Sequence, residues 1–117
     1  MLKRDILRRK DDFTSIYKKG RSVGDRYVVL FYKKNSLDYN RTAFLASKKV
    51  GNSVERNRGR RLMKENYRFL RDDIKSGYDL IIIARKTING RKAGEVGKSM
   101  INALSRAKLY NKQEAKR

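Results

Sequence analysis

The chain has 117 residues, enough for one domain (1–117) and little more. Hydrophobic and charged residues each make up 38%, and 32 Lys and Arg stand against 12 Asp and Glu, a net charge of +20. Cys and His are both absent, which excludes disulfides, thiolate metal sites and histidine acid–base chemistry, and so large a cationic excess points to a polyanionic partner. Self-repulsion at this charge predicts that added sulfate or pyrophosphate raises the melting temperature; an unchanged temperature would contradict it. The opening MLKRDILRRKDD lacks the apolar core of a signal peptide, and the longest apolar run, Leu80 to Ala84, is too short for a bilayer. A cytoplasmic protein without membrane contact is expected.

In chain order, Asp11 or Asp12 can cap a short helix carrying Phe13, Ile16 and Tyr17, and Gly20 suits its end. Tyr27 to Lys33 (YVVLFYK) reads as a strand, with a short strand at Ser22 and Val23 before it. Asn35 to Asn40 reads as a turn, and Thr42 to Ser47 as a hairpin partner for the first long strand. A long helix then runs from Asn52 or Ser53 to about Asp72. Tyr78 to Arg85 (YDLIIIAR) is apolar without alternation, the pattern of a strand covered on both faces. A looser segment, Lys86 to Gly94, leads to a last helix from about Glu95 to Leu109, with Val96, Met100, Ala103, Leu104 and Ala107 as its apolar stripe. Asn111 to Arg117 reads as a frayed polar tail. The order α-β-β-β-α-β-α predicts an α+β fold, a two-layer α/β sandwich with helices on a small, mostly antiparallel sheet.

The long helix carries the function. At roughly 100° per residue, Val54, Leu62, Met63, Phe69 and Leu70 fall in one arc, suited to packing on the sheet. Arg56, Asn57, Arg60, Arg61, Lys64, Arg68 and Arg71 fall in the opposite arc, with Tyr67 among them. Arg58 lies on the apolar side, where its stem can snorkel. A run of charge is most often just a solvated helix face. Here, however, Glu65 is the only carboxylate between Arg56 and Arg71, and Arg56, Arg60, Lys64 and Arg68 repeat like charges at i,i+4. Gly59 adds about 1 kcal/mol of helix cost relative to alanine. Such a face fits phosphate, for which the planar arginine fork is suited. Lys48, Lys49 and the amides of Gly51 to Ser53, at the positive end of the helix dipole, read as a phosphate seat.

Ser47-Lys48-Lys49-Val50-Gly51-Asn52, followed by Arg56-Asn57-Arg58 and Arg61-Leu62, closely resembles the S-K-K-x-G-N … R-N-R-x-[KR]-R-L signature of bacterial ribonuclease P proteins. Phe13, Tyr17 and Gly20 resemble the family's first helix, and Ile81 to Lys86 (IIIARK) its last strand. The resemblance implies a protein subunit that binds a large catalytic RNA and the 5′ leader of precursor tRNA, while the RNA removes the leader with Mg²⁺. It implies partners in that RNA and precursor tRNA, with no obligate protein partner, and Mg²⁺ bound mainly by RNA. The implied RNA-subunit contacts are Lys48, Lys49, Asn52, Arg56, Asn57, Arg58, Arg60, Arg61, Lys64 and Arg68. Phe13, Tyr17 and Phe31 are the implied leader cleft, where bases of any identity can stack. On spacing alone Phe13 and Tyr17 suit a core equally well, and a one-residue shift in strand register would expose Tyr32 instead of Phe31. The family fold also implies a left-handed β-α-β crossover, against the general rule. Three departures from the family pattern, Glu55, Gly59 and Thr87, touch local stability rather than contact residues.

Two other readings compete. A ribosomal or other structural RNA-binding protein would share the charge but not the S-K-K-x-G-N/R-N-R constellation. A stand-alone nuclease would need carboxylates from Asp11, Asp12, Asp72, Asp73 or Asp79, most of which read as helix-terminal.

Overall fold

A computed structural model describes residues 1–111, so the expected frayed tail lies mostly outside the described residues. Asn111 itself is tied down, its amide donating to the Asp73 carbonyl at 2.8 Å. The elements are α1 (Lys10–Lys19), β1 (Arg21–Gly24), β2 (Val28–Lys34), β3 (Arg41–Leu45), α2 (Ser53–Leu70), β4 (Tyr78–Ala84) and α3 (Ala93–Arg106), with short 3-10 turns at Lys3–Asp5, Arg71–Asp73 and Lys86–Ile88. The expected order of helices and strands is observed, in a mixed α+β fold.

The sheet runs β1-β2-β4-β3, with β3 and β4 parallel and the other pairs antiparallel. The expected hairpin between β2 and β3 does not form. β4 lies between them because it is the most apolar strand and buries both faces only at a central position. Leu80, Ile82 and Ala84 face the core under α2 and α3, while Ile81 and Ile83 face the side of α1. β3, α2 and β4 therefore form the crossover unit, with α2 linking parallel neighbours.

Polar side chains far apart in sequence fix this topology. Asp79, buried at the start of β4, accepts two bonds from Arg41 on β3, at 2.8 and 2.6 Å, and a third from Asn35 at 3.0 Å. The Asp79 carboxylate beside it holds the Arg41 guanidinium in its charged form, raising its pKa further despite partial burial. Asn40 accepts from the Tyr78 amide at 2.8 Å and donates to the Lys75 carbonyl at 3.0 Å, pinning the entry to β4.

Arg41 also reaches Asp12 at 3.3 Å, which ties α1 to the sheet. Neither Asp11 nor Asp12 caps that helix: Arg9 holds the N-cap position, and both acids lie in the first turn. At the other end Gly20 is needed for close approach, since a Cβ there would meet the carbonyl oxygens of Ile16 and Tyr32 at 2.5 and 2.6 Å. The first residues also pack: Leu7 is buried beneath α1, and Ile6 bridges Thr42 beyond the free edge of β3.

Candidate nucleic-acid interface

Helix α2 starts where a glycine and a reciprocal pair of side-chain bonds require it to. The Asn52 side chain accepts from the Glu55 amide at 2.9 Å, and the Glu55 carboxylate accepts from the Asn52 amide at 3.0 Å, a capping box. Gly51 precedes it at φ 148°, and a Cβ there would sit 2.1 Å from a Glu55 carboxylate oxygen. Asn52 and Glu55, read above as an RNA contact and a departure from the motif, thus set the helix start together. Glu55 also takes an amide of the expected phosphate seat, leaving Lys48 and Lys49, both exposed, as its cationic part.

The helix buries Gly59, Leu62, Met63, Tyr67 and Leu70. This arc is turned by roughly half a 100° step from the one expected. Val54 and Phe69 are 75% and 80% exposed rather than packed on the sheet. Tyr67 is buried, not outward; it accepts a bond from the Thr42 hydroxyl at 2.8 Å and packs edge-on against Phe44. Burial raises its pKa, an effect the Thr42 bond partly offsets. An aromatic with a polar tip satisfies the core and the buried threonine at once, which periodicity cannot reveal.

Gly59 faces Ala84 and Ile88, and a Cβ there would meet them at 3.6 Å, ordinary contact. Gly59→Ala is therefore expected to stabilise the protein by about 1 kcal/mol, through helix propensity. Urea denaturation checks this, and a loss of stability would show that the interface with β4 cannot take a methyl group.

The cationic face emerges as expected, with a division of labour. Arg58 donates to the Arg91 carbonyl at 2.6 Å and joins α2 to the segment before α3. Arg60 donates to Asn57 and reaches the Ala46 carbonyl, while Arg56 reaches Ser53 and keeps a buried Nε without an acceptor among the described residues. Arg61, Lys64 and Arg68 are exposed. Among the described residues, no cation of α2 is neutralised by a carboxylate.

The aromatic residues lie on the other face of the sheet. Tyr17 of α1 and Phe31 of β2 meet edge-to-face, with centroids 5.0 Å apart. Tyr17 is 44% exposed, and Phe13 and Phe31 are partly buried. Of the two registers left open, the observed one puts Phe31 on this face and Tyr32 on the face of α3. α1 covers only part of the face, so Leu45 and Ile83 remain partly accessible.

A groove of about 530 Å³ joins the two sets: Phe13 and the β3 residues Ala43 and Leu45 line one side, Arg60, Arg61 and Lys64 the other. The carboxylates considered for nuclease chemistry are arranged differently, with Asp12 and Asp79 sharing Arg41. An edge-to-face aromatic pair with Tyr17 exposed, joined by this groove to an unneutralised arginine-rich helix, can hold single-stranded RNA without reading its sequence.

Known proteins resemble this chain in sequence and in fold. The family model for ribonuclease P matches residues 1–108. A protein of Clostridium botulinum (strain Loch Maree / Type A3), named ribonuclease P protein component, is 41% identical over 111 residues, covering 94% of this chain and 100% of its own. That of Clostridioides difficile (strain 630) is 40% identical over 104 residues, covering 88% and 91%. The solved RNase P protein of Staphylococcus aureus superposes with a TM-score of 0.82 at 33% identity, covering 92% of this chain and 98% of that one. For the protein of Thermotoga maritima the values are 0.79 and 30%, with 86% and 96% covered. Fold, motif and full-length similarity agree, and the chain belongs to the ribonuclease P protein family.

Proposed function

We propose that this chain is the protein subunit of a ribonuclease P ribonucleoprotein, acting in maturation of tRNA 5′ ends, with α2 as the anchor on the catalytic RNA. The observation that carries the proposal is the cationic face of α2, unneutralised by any carboxylate among the described residues, on a fold of this family. Arg61, Lys64 and Arg68 take phosphates directly. Arg58 and Asn52 fix the helix that presents them.

The substrate is the precursor tRNA, whose leader lies on the aromatic face of the sheet. Tyr17, Phe31 and Phe13 stack its bases, and Arg60 and Arg61 border its path in the groove beside β3. The protein orients the leader; the RNA supplies the reacting centre and holds the Mg²⁺ that hydrolysis requires. The setting is cytoplasmic.

The test is Tyr17→Ala with Phe31→Ala in the reconstituted holoenzyme. Affinity for precursor tRNA is expected to fall by about 30-fold, from about 1–3 kcal/mol per stacked base, while affinity for mature tRNA and for the RNA subunit stays unchanged. Equal loss for precursor and mature tRNA would remove the leader from this face.

A further inference from the structure

The connection from β4 to α3 grips the start of α2 at two points. The Asn89 side-chain amide donates to the Val50 carbonyl at 2.6 Å, and Arg58 donates to the Arg91 carbonyl at 2.6 Å. Between Asn89 and Arg91 the chain reverses direction. Asn89 at φ −61° and ψ 131° is followed by Gly90 at φ 79°, and the Arg91 amide donates to the Ile88 carbonyl at 3.1 Å, as in a type II turn. A Cβ at Gly90 would meet no atom within 4 Å, so the left-handed backbone, not space, calls for glycine there.

This turn has a fixed base. Ile88 is fully buried and faces Gly59 in the middle of α2. From that base Asn89 reaches the loop that leads into the helix. Val50 is itself buried, and its amide donates to the Ser47 carbonyl at 3.0 Å, closing the short turn that carries Lys48 and Lys49. Beyond it the capping box holds Asn52 to Glu55. Gly51 stands between these two fixed points, and glycine has the widest backbone freedom of any residue. Asn89 is what keeps the Val50 carbonyl from turning about it: among the described residues no other side chain donates to that oxygen. The donor must also be an uncharged amide. An aspartate of the same shape would set a carboxylate against the Val50 carbonyl, two acceptors with no proton between them.

We infer that Asn89 is a positioning residue for RNA binding: it holds Lys48 and Lys49 where they meet the catalytic RNA, without touching the RNA itself. The inference rests on the reading of α2 and its approach as the RNA anchor, and it adds a residue from a separate part of the chain. Lys48 and Lys49 are exposed, and their charges ride on flexible stems, so the backbone beneath them sets where those charges can reach.

The test is a double-mutant cycle on affinity for a bacterial ribonuclease P RNA, using Asn89→Ala, Lys48→Ala/Lys49→Ala and all three together. Asn89→Ala should weaken binding about fivefold, the scale of one hydrogen bond, and lower the log–log salt slope as the lysines disengage. Asn89→Asp should weaken it about tenfold or more, since repulsion replaces the bond. Added to the lysine substitutions, Asn89→Ala should have no further effect, because it acts through them. A thermal melt of each variant, with binding measured well below the transition, keeps folding apart from affinity. Equal losses with and without the lysines would make Asn89 a direct contact or a general support of the fold. Unchanged affinity, for Asn89→Ala or for the lysine pair alone, would leave its bond a structural one; each of these results overturns the inference. Arg61→Ala/Lys64→Ala/Arg68→Ala, measured alongside, separates this from failure of the anchor reading, since that variant keeps its affinity only if α2 does not bind the RNA.

Discussion

Replacing Arg61, Lys64 and Arg68 together by alanine is expected to weaken binding of a bacterial ribonuclease P RNA by about 100-fold at physiological salt. All three are exposed, and none has a carboxylate partner among the described residues, so their charge is available to an external phosphate at little rearrangement. Each charge-assisted bond contributes on the order of 1 kcal/mol or more, and three together reach about 3 kcal/mol. The log–log salt slope should fall by about 2 to 3 as well, because three fewer phosphates are neutralised. Folding should hold or improve, since Lys64 and Arg68 form part of the like-charge run at i,i+4. Filter binding over a salt series, with a thermal melt alongside, reads both effects. Unchanged affinity would move the anchor off α2.

The second large effect lies in the scaffold. Arg41→Ala is expected to destabilise the protein by about 3 kcal/mol, because it leaves the buried Asp79 carboxylate with Asn35 as its remaining side-chain partner among the described residues. For a domain of this size the melting temperature should fall by roughly 10 °C or more. The same substitution frees Asp12 and with it the first turn of α1, which carries Phe13 and, one turn on, Tyr17. Leader affinity should therefore drop further than the loss of folded protein explains, while the α2 face keeps its affinity for the RNA subunit. Arg41→Lys should restore part of the stability but not the two-pronged geometry. A melting temperature within a few degrees of the wild type would show that β3 and α1 are held by packing alone.

What could be read from the sequence follows the range of the interactions involved. Local signals served well: Asn52 marked the start of α2, the apolar run of β4 marked a strand covered on both faces, and the long S-K-K-x-G-N … R-N-R constellation pointed to the family. The phase of α2 did not follow, because its apolar residues are not all buried. Val54 and Phe69 lie outside the core while Tyr67 lies inside, held by a threonine 25 residues away. Pairing of β3 with β4 instead of β2 depends on contacts among Asn35, Arg41 and Asp79, spread over more than 40 residues. Nothing in the turn chemistry of Asn35 to Asn40 signals that.

The site divided in the same way. The basic residues of α2 could be named from the motif, but not the separation between those that fix the helix, such as Arg58 and Asn52, and those left open. The aromatic face depended on register. Pairing of Phe31 with Ile81 on β4 settles which of two neighbouring rings meets Tyr17.

The measurement closest to the central claim is processing of a precursor tRNA by a bacterial ribonuclease P RNA at low Mg²⁺ and physiological salt, with and without this protein. The account predicts that the protein stimulates cleavage at the 5′ end of the mature sequence. It also predicts that stimulation falls steeply with salt and is lost with the Arg61, Lys64 and Arg68 substitutions. No stimulation, stimulation indifferent to salt, or equal cleavage by the protein without RNA would contradict it.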